Sequence, residues 1–448
     1  MSGARARDTF LTGITLLFVL LSVIPFAGYH PWLWIPLSII AALIFVLSSI
    51  IDLTDRRSAR TTLKRLRLPV LLFLAVVLWA MVQTLDGLPR MFWHPAFERL
   101  EVPGRITLDA EVTGQFALRL LSYGMIFWIA CRLGRQQQIA NTILLAVGLF
   151  GLLYSANGVI QVLIGSEELF GVKRRTGAEI ATGTFGNSNS FAFHVSVCIV
   201  CSLTWLFRAP LAADGSTGSF RQPIEVTFRV LLLLSVPIGI AAIALSSSRA
   251  GAGVATLGII LVLAMAYAPA SLRKIAAQAL LLFAGLVPLL ITLGVAWMDR
   301  DTMIGRALLD RVPMYGTVLK MVVAGPLAGT GLGTFEIAAE PWKFEELYFY
   351  RWDAAHNVFL EHLVEMGPIV ALLFWAALLL IGWRICTGFI MRRRDNHYAA
   401  LGLILLAMAA LHNAIDYPLH RPAVAYLFAL LLGVAWAQSW STAPKRSG

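Results

Sequence analysis

The sequence predicts an all-α integral membrane protein, and three observations predict it. Apolar residues make up 58% of the 448 positions and charged residues only 14%, against roughly 45–50% and 25% in globular chains. Mean hydropathy is +0.76. The apolar residues also come in long runs suited to a spanning helix, which needs about 20 of them. This composition excludes a disordered chain, a coiled coil and a disulfide scaffold, and leaves too little polar surface for a soluble enzyme.

Twelve windows read as spans: 10–28, 32–51, 68–85, 116–132, 139–163, 186–207, 229–246, 251–270, 275–297, 366–386, 398–412 and 422–438. The first follows Arg5 and Arg7 but exceeds a signal-peptide core of about 7–15 residues. It runs into Tyr29-His30-Pro31-Trp32 and not into a small-residue cleavage site, so it reads as an uncleaved helix. Three long segments separate the spans: 86–115, 164–185 and 298–365. The last is a large polar loop before the tenth span, expected to hold short helices. Residues 1–448 read as one polytopic domain.

The net charge of +11 first concerns topology. With the N-terminus inside, the inner segments hold 21 of the 36 Lys and Arg, and the longer outer loops hold 14. An excess of Lys and Arg marks cytoplasmic loops. Both termini are therefore expected in the cytoplasm and the three long segments outside. The basic run 56–67 is then a membrane-surface feature, and nucleic acid is not an expected partner. Cys198-x-x-Cys201 lies inside a span, and Cys131 and Cys386 lie at inner ends. No outer cysteine offers a disulfide.

The spans carry no central carboxylate; only Arg119 and His194 interrupt them, each toward an end. Ion-coupled carriers use intramembrane Asp or Glu. Chemistry at the outer face, on a lipid-borne substrate, is the better reading. Cations sit at outer span ends: Lys173-Arg174-Arg175, Arg249 in the short Ser246-Ser247-Ser248-Arg249 turn, Arg311 before an apolar stretch at 312–324, and Arg421. Arginine suits a diphosphate through charge-assisted, bidentate hydrogen bonds, or snorkels to lipid phosphates.

The large loop ends in Trp352-Asp353-Ala354-Ala355-His356-Asn357-Val358-Phe359-Leu360-Glu361. His356 is a natural acid or base near neutrality. Asn357 can orient a substrate hydroxyl, and Glu361 lies about one helical turn on and could face the imidazole. The aromatic stretch Trp342 to Trp352 reads either as an interfacial belt or as a platform for sugar rings. Asp299-x-Asp301 could hold a divalent metal, though a metal is not the expectation here. Gly329-Thr330-Gly331-Leu332-Gly333 lacks the Lys-Ser/Thr of a P-loop and reads as a tight turn. His412 and Asp416, at i and i+4, could pair across one helical turn.

These segments resemble, in order, the signature of the O-antigen ligase and polymerase superfamily. Gly183-Thr184-Phe185-Gly186-Asn187-Ser188-Asn189-Ser190-Phe191-Ala192 is similar to its Gly-Thr-Phe-x-Asn-x-Asn-x-Phe-Ala motif. Ser248-Arg249-Ala250-Gly251 resembles its Ser-Arg turn. Pro326 to Phe335 resembles its glycine-rich segment, Ala355-His356-Asn357 its Ala-His-Asn motif, and His412 to Asp416 a His-x-x-x-Asp element. The first 170 residues match in topology only. The resemblance implies a twelve-helix, GT-C-like, metal-independent and cofactor-free inverting glycosyltransferase of the bacterial inner membrane. Its donor would be a glycan on undecaprenyl diphosphate at the periplasmic face. Its acceptor would be lipid A–core or another lipid-linked repeat unit. It implies diphosphate contacts by Arg249 and by Arg175 or Arg174, with Arg311 a further candidate. His356 would serve the acceptor. Asn187, Asn189, Asn357, Glu361, His412 and Asp416 would support them. A lipid-linked glycan flippase or a non-catalytic export subunit is the competing reading.

Overall fold

The computed structural model describes residues 2–24, 26–54, 56–100, 104–174, 176–208, 221–296, 312–343, 352–392 and 396–440. Among them are sixteen α-helices: α1 (Ser2–Leu21), α2 (Pro31–Thr54), α3 (Arg56–Gln83), α4 (Pro95–Leu100), α5 (Ala110–Leu133), α6 (Gln137–Leu163), α7 (Ser188–Leu206), α8 (Arg221–Leu245), α9 (Arg249–Tyr267), α10 (Ala270–Ala296), α11 (Val312–Ala324), α12 (Phe335–Ala339), α13 (Val358–Met366), α14 (Pro368–Met391), α15 (His397–Asn413) and α16 (Pro422–Gln438). The chain is an all-α integral membrane protein. Nine of the described helices are long and apolar enough to cross a bilayer. The other three predicted windows fall on α1, α15 and α16. α15 and α16 have 17 residues each, and α1 opens with Arg5, Arg7 and Asp8.

Burial separates two kinds of helix. α7, α15 and α16 are enclosed on almost every side, while α2, α3, α8 and α10 turn rows of Leu and Ile outward, as lipid-facing helices do. Small residues allow the inner helices to pack closely. Gly151 of α6 lies against Cys198 of α7, and Gly251 of α9 against Ala192; any side chain at either glycine would collide there. The C-x-x-C cysteines are thus packing residues, and all four cysteines are free and buried.

At the end of the bundle opposite the start of α1, 168–173 forms a hairpin that the all-helical reading did not include. β1 (Glu168–Leu169) pairs antiparallel with β2 (Val172–Lys173). Phe170 and Gly171 both have positive φ, 50° and 75°, the mark of a type I′ turn. The segment 326–333 packs on α13: Thr330 N–H donates to Val364 O at 3.0 Å and Gly331 N–H to Glu365 O at 3.0 Å. Gly331, at φ 106°, has no room for a side chain against Thr107. The predicted tight turn is therefore a clamp that fixes α13 and the loop leading into it.

Candidate functional site

α13 begins where Asn357 caps it. The Asn357 side-chain oxygen accepts from Phe359 N–H at 3.0 Å and Leu360 N–H at 3.1 Å, a standard N-cap. His356 therefore lies outside the helix, with φ at 48°, a region non-glycine residues seldom occupy and one that clusters at functional sites. The hydroxyl of Tyr315, on α11, donates to the His356 carbonyl at 2.7 Å and holds this turn. The imidazole is 31% exposed and stands edge-on to Tyr417, 4.9 Å between ring centres.

The partner of that imidazole is Asp416. His356 Nδ1 lies 3.8 Å from Asp416 Oδ2, longer than a hydrogen bond but within ion-pair range of a protonated imidazole. The same Oδ2 accepts from the Asn189 amide at 2.6 Å, and Oδ1 accepts from Tyr417 N–H at 2.8 Å. Asn189 in turn accepts from the Ser248 hydroxyl at 2.6 Å. Ser248 caps α9 by accepting from Gly251 N–H at 3.0 Å. Arg249 is the first residue of α9 and is exposed. A continuous chain of contacts thus joins Ser248, Asn189, Asp416 and His356, drawn from four separate stretches of sequence, and Arg249 follows Ser248 in the chain.

Other candidates take different places. Glu361 does not face His356, because α13 starts only at Val358. Its Oε2 accepts from Ala355 N–H at 3.1 Å and its Oε1 lies 3.5 Å from His420 Nε2. Burial, with Glu365 beside it, pushes its carboxyl well above the ordinary range. Glu365 accepts from Phe335 N–H at 2.9 Å, and burial pushes it up to about 7. His412 is buried edge-on to Phe193 at 5.1 Å, while the Asp416 carboxylate turns toward Asn189 and His356. Asn187 caps α7 by accepting from Ser190 N–H at 2.8 Å. The Arg174 guanidinium donates to Ser166 O at 2.7 Å and to Ile180 O, so it braces its own loop. Arg175, Arg311, Asp299 and Asp301 lie outside the described residues, as does most of the aromatic stretch.

A cavity of about 460 Å³ opens beside α13. Arg119, His362, Glu365 and His420 line it together with apolar residues of α3, α5, α14 and α16, Phe73, Phe127, Phe374 and Leu432 among them. Arg119 is held there by stacking over Trp34 at 4.2 Å and by donating to His420 O at 2.7 Å.

The pairing of His356 with Asp416 was beyond a sequence reading, since 60 positions separate them. Ser248 as a cap was legible in principle: a serine stands before an apolar run that follows a tight turn.

Residues 231–376 match the family model for O-antigen ligase. The match bears out the superfamily resemblance and supports an O-antigen ligase or polymerase type of function in polysaccharide biosynthesis. It spans Arg249 and His356; Asn189 and Asp416, which complete the contact chain, lie on either side of it. No curated protein matches the chain.

Proposed function

We propose that this protein is a glycosyltransferase of the O-antigen ligase and polymerase type, taking its glycan from undecaprenyl diphosphate. The observation that carries the reading is the contact chain from Ser248, the residue before Arg249, to His356. It sets an exposed arginine and a partly exposed imidazole on one connected scaffold.

In this mechanism a sugar hydroxyl of the acceptor attacks the anomeric carbon of the donor. The new glycosidic C–O bond forms as the bond to the diphosphate oxygen breaks, with inversion. His356 takes the hydroxyl proton through Nε2, and Asp416 stabilises the imidazolium at Nδ1. Negative charge grows on the leaving diphosphate, where a fixed guanidinium from Arg249 stabilises it without reorganisation. No metal step is required. The cavity beside α13 gives a hydrocarbon chain a place within reach of the site. The active end faces the periplasm, both termini face the cytoplasm, and the host is the bacterial inner membrane. That orientation rests on the excess of Lys and Arg in the inner segments. A flippase would need cations along a path through the bilayer, and the chemistry here gathers at one end.

The test is a product analysis with purified protein, a glycan on undecaprenyl diphosphate, lipid A–core present or absent, and EDTA added or withheld. Glycan appearing on lipid A–core identifies a ligase, and lengthened lipid-linked chains a polymerase. Neither product, or loss of activity in EDTA, contradicts the mechanism.

A further inference from the structure

Arg421 stands at the N-terminus of the 17-residue helix α16. It is only 5% exposed, yet its Nε and Nη1 have no hydrogen-bond partner among the described residues. The guanidinium lies over the Tyr29 ring at 3.7 Å and near the Tyr417 ring at 5.9 Å. No carboxylate forms an ion pair with it among the described residues. Asp416 is committed to Asn189 and Tyr417 N–H. Two features coincide here: a helix N-terminus, which favours anions, and a buried cation with unpartnered donors. Leaving such donors unsatisfied is costly, and an anionic ligand would remove that cost.

The position suits one anion in particular. Tyr417 carries His356 against one part of its ring, at 4.9 Å, and Arg421 near the same ring. Arg174 commits both of its terminal nitrogens to its own loop and leaves only Nε unpartnered, whereas Arg421 leaves Nε and Nη1 unpartnered. We propose that Arg421 is a second arginine of the donor site and binds the diphosphate of the lipid-linked donor. This rests on the glycosyltransferase reading above.

The experiment uses the full-length protein in phosphatidylcholine nanodiscs and farnesyl diphosphate as the probe, with binding measured by calorimetry. Arg421→Gln is expected to weaken binding about 10- to 100-fold, the scale of a lost charged hydrogen bond. Arg421→Lys keeps the charge but not the planar fork, and is expected to fall between the two. Arg90→Gln, an exposed cation elsewhere on the same end, is expected to bind as wild type does. Should Arg421→Gln fail to fold, Arg421→Lys decides, with its Tm recorded alongside. Unchanged affinity in the folded variant overturns the proposal and leaves the transferase reading standing. Absence of probe binding by wild type overturns both. A loss confined to lipid A binding, with farnesyl diphosphate unaffected, assigns the anion to the acceptor and overturns the proposal as stated.

Discussion

The two ends of the helix bundle treat buried arginine differently. At the end where α1 starts and α16 finishes, two buried guanidinium groups meet carboxylates. Arg132 pairs with Asp8 at 2.9 Å and with Asp52. Arg208 stacks on Trp205 at 3.3 Å and faces Glu225 at 3.7 Å. Arg384 donates to Ser439 O at 2.6 Å and stacks on Trp440 at 3.8 Å, with its Nε left without a partner among the described residues. At the opposite end Arg119 and Arg174 donate to carbonyl oxygens, Arg249 is exposed, and Arg421 is buried with Nε and Nη1 unpartnered among the described residues. The acids there are satisfied by neutral groups instead: Asp416 by an amide and an N–H, Glu361 and Glu365 by backbone N–H groups. Matched pairs join helices together, whereas Arg249 and the unpartnered donors of Arg421 are the charges that the proposed donor site would use.

That contrast can be broken by substitution. The largest effect on chemistry is expected for Asp416→Asn. It keeps the Asn189 contact region filled but removes the carboxylate facing His356. The transfer rate should fall on the order of 10²- to 10⁴-fold, the usual contribution of acid–base catalysis, while affinity for the donor holds. A matching loss of donor affinity would make Asp416 a binding group instead. Next comes Arg132→Ala at the end where α1 starts. It strands Asp8 and Asp52 and should cost about 3–5 kcal/mol of stability, read as a lowered Tm, with activity per folded molecule unchanged. A reduced rate in the folded fraction would dissolve the distinction between the ends.

The smallest effect concerns Glu365. Burial raises its carboxyl to about 7, above its value in an unfolded chain. A raised carboxyl contributes stability at low pH that is lost as pH climbs through the folded value. Wild type should therefore lose stability between about pH 4.5 and 7, beyond any loss shown by Glu365→Gln. Identical pH profiles of Tm for the two proteins would show that Glu365 is not held protonated.

Much of this architecture is legible in the sequence because burial in lipid requires long apolar runs. All twelve windows fall on helices, yet the ends shift. The window 10–28 became Ser2–Leu21, because the polar start Ser2-Gly3-Ala4-Arg5-Ala6-Arg7 continues the helix and the turn at Ala27 and Gly28, both with positive φ, follows it. The hairpin at 168–173 was hidden, since Phe170-Gly171 is a weak turn signal. Of the site, Arg249 and His356 could be singled out from local pattern. The roles of Asp416, Asn189 and Glu361 could not, because tertiary packing chose their partners. Asp416 at i+4 from His412 looked like a local pair, but α15 ends at Asn413 and the carboxylate turns to another helix. Arg421 was visible only as one more cation at a span end; its burial gives it a different meaning.

The central claim is that Arg249 and His356 form one transferase site. The most direct measurement compares glycan transfer from undecaprenyl diphosphate by purified wild type, Arg249→Ala and His356→Ala. All three should insert in the membrane with equal Tm. Wild type should transfer glycan, and each variant should lose transfer entirely. Wild-type rates in either folded variant would contradict the claim.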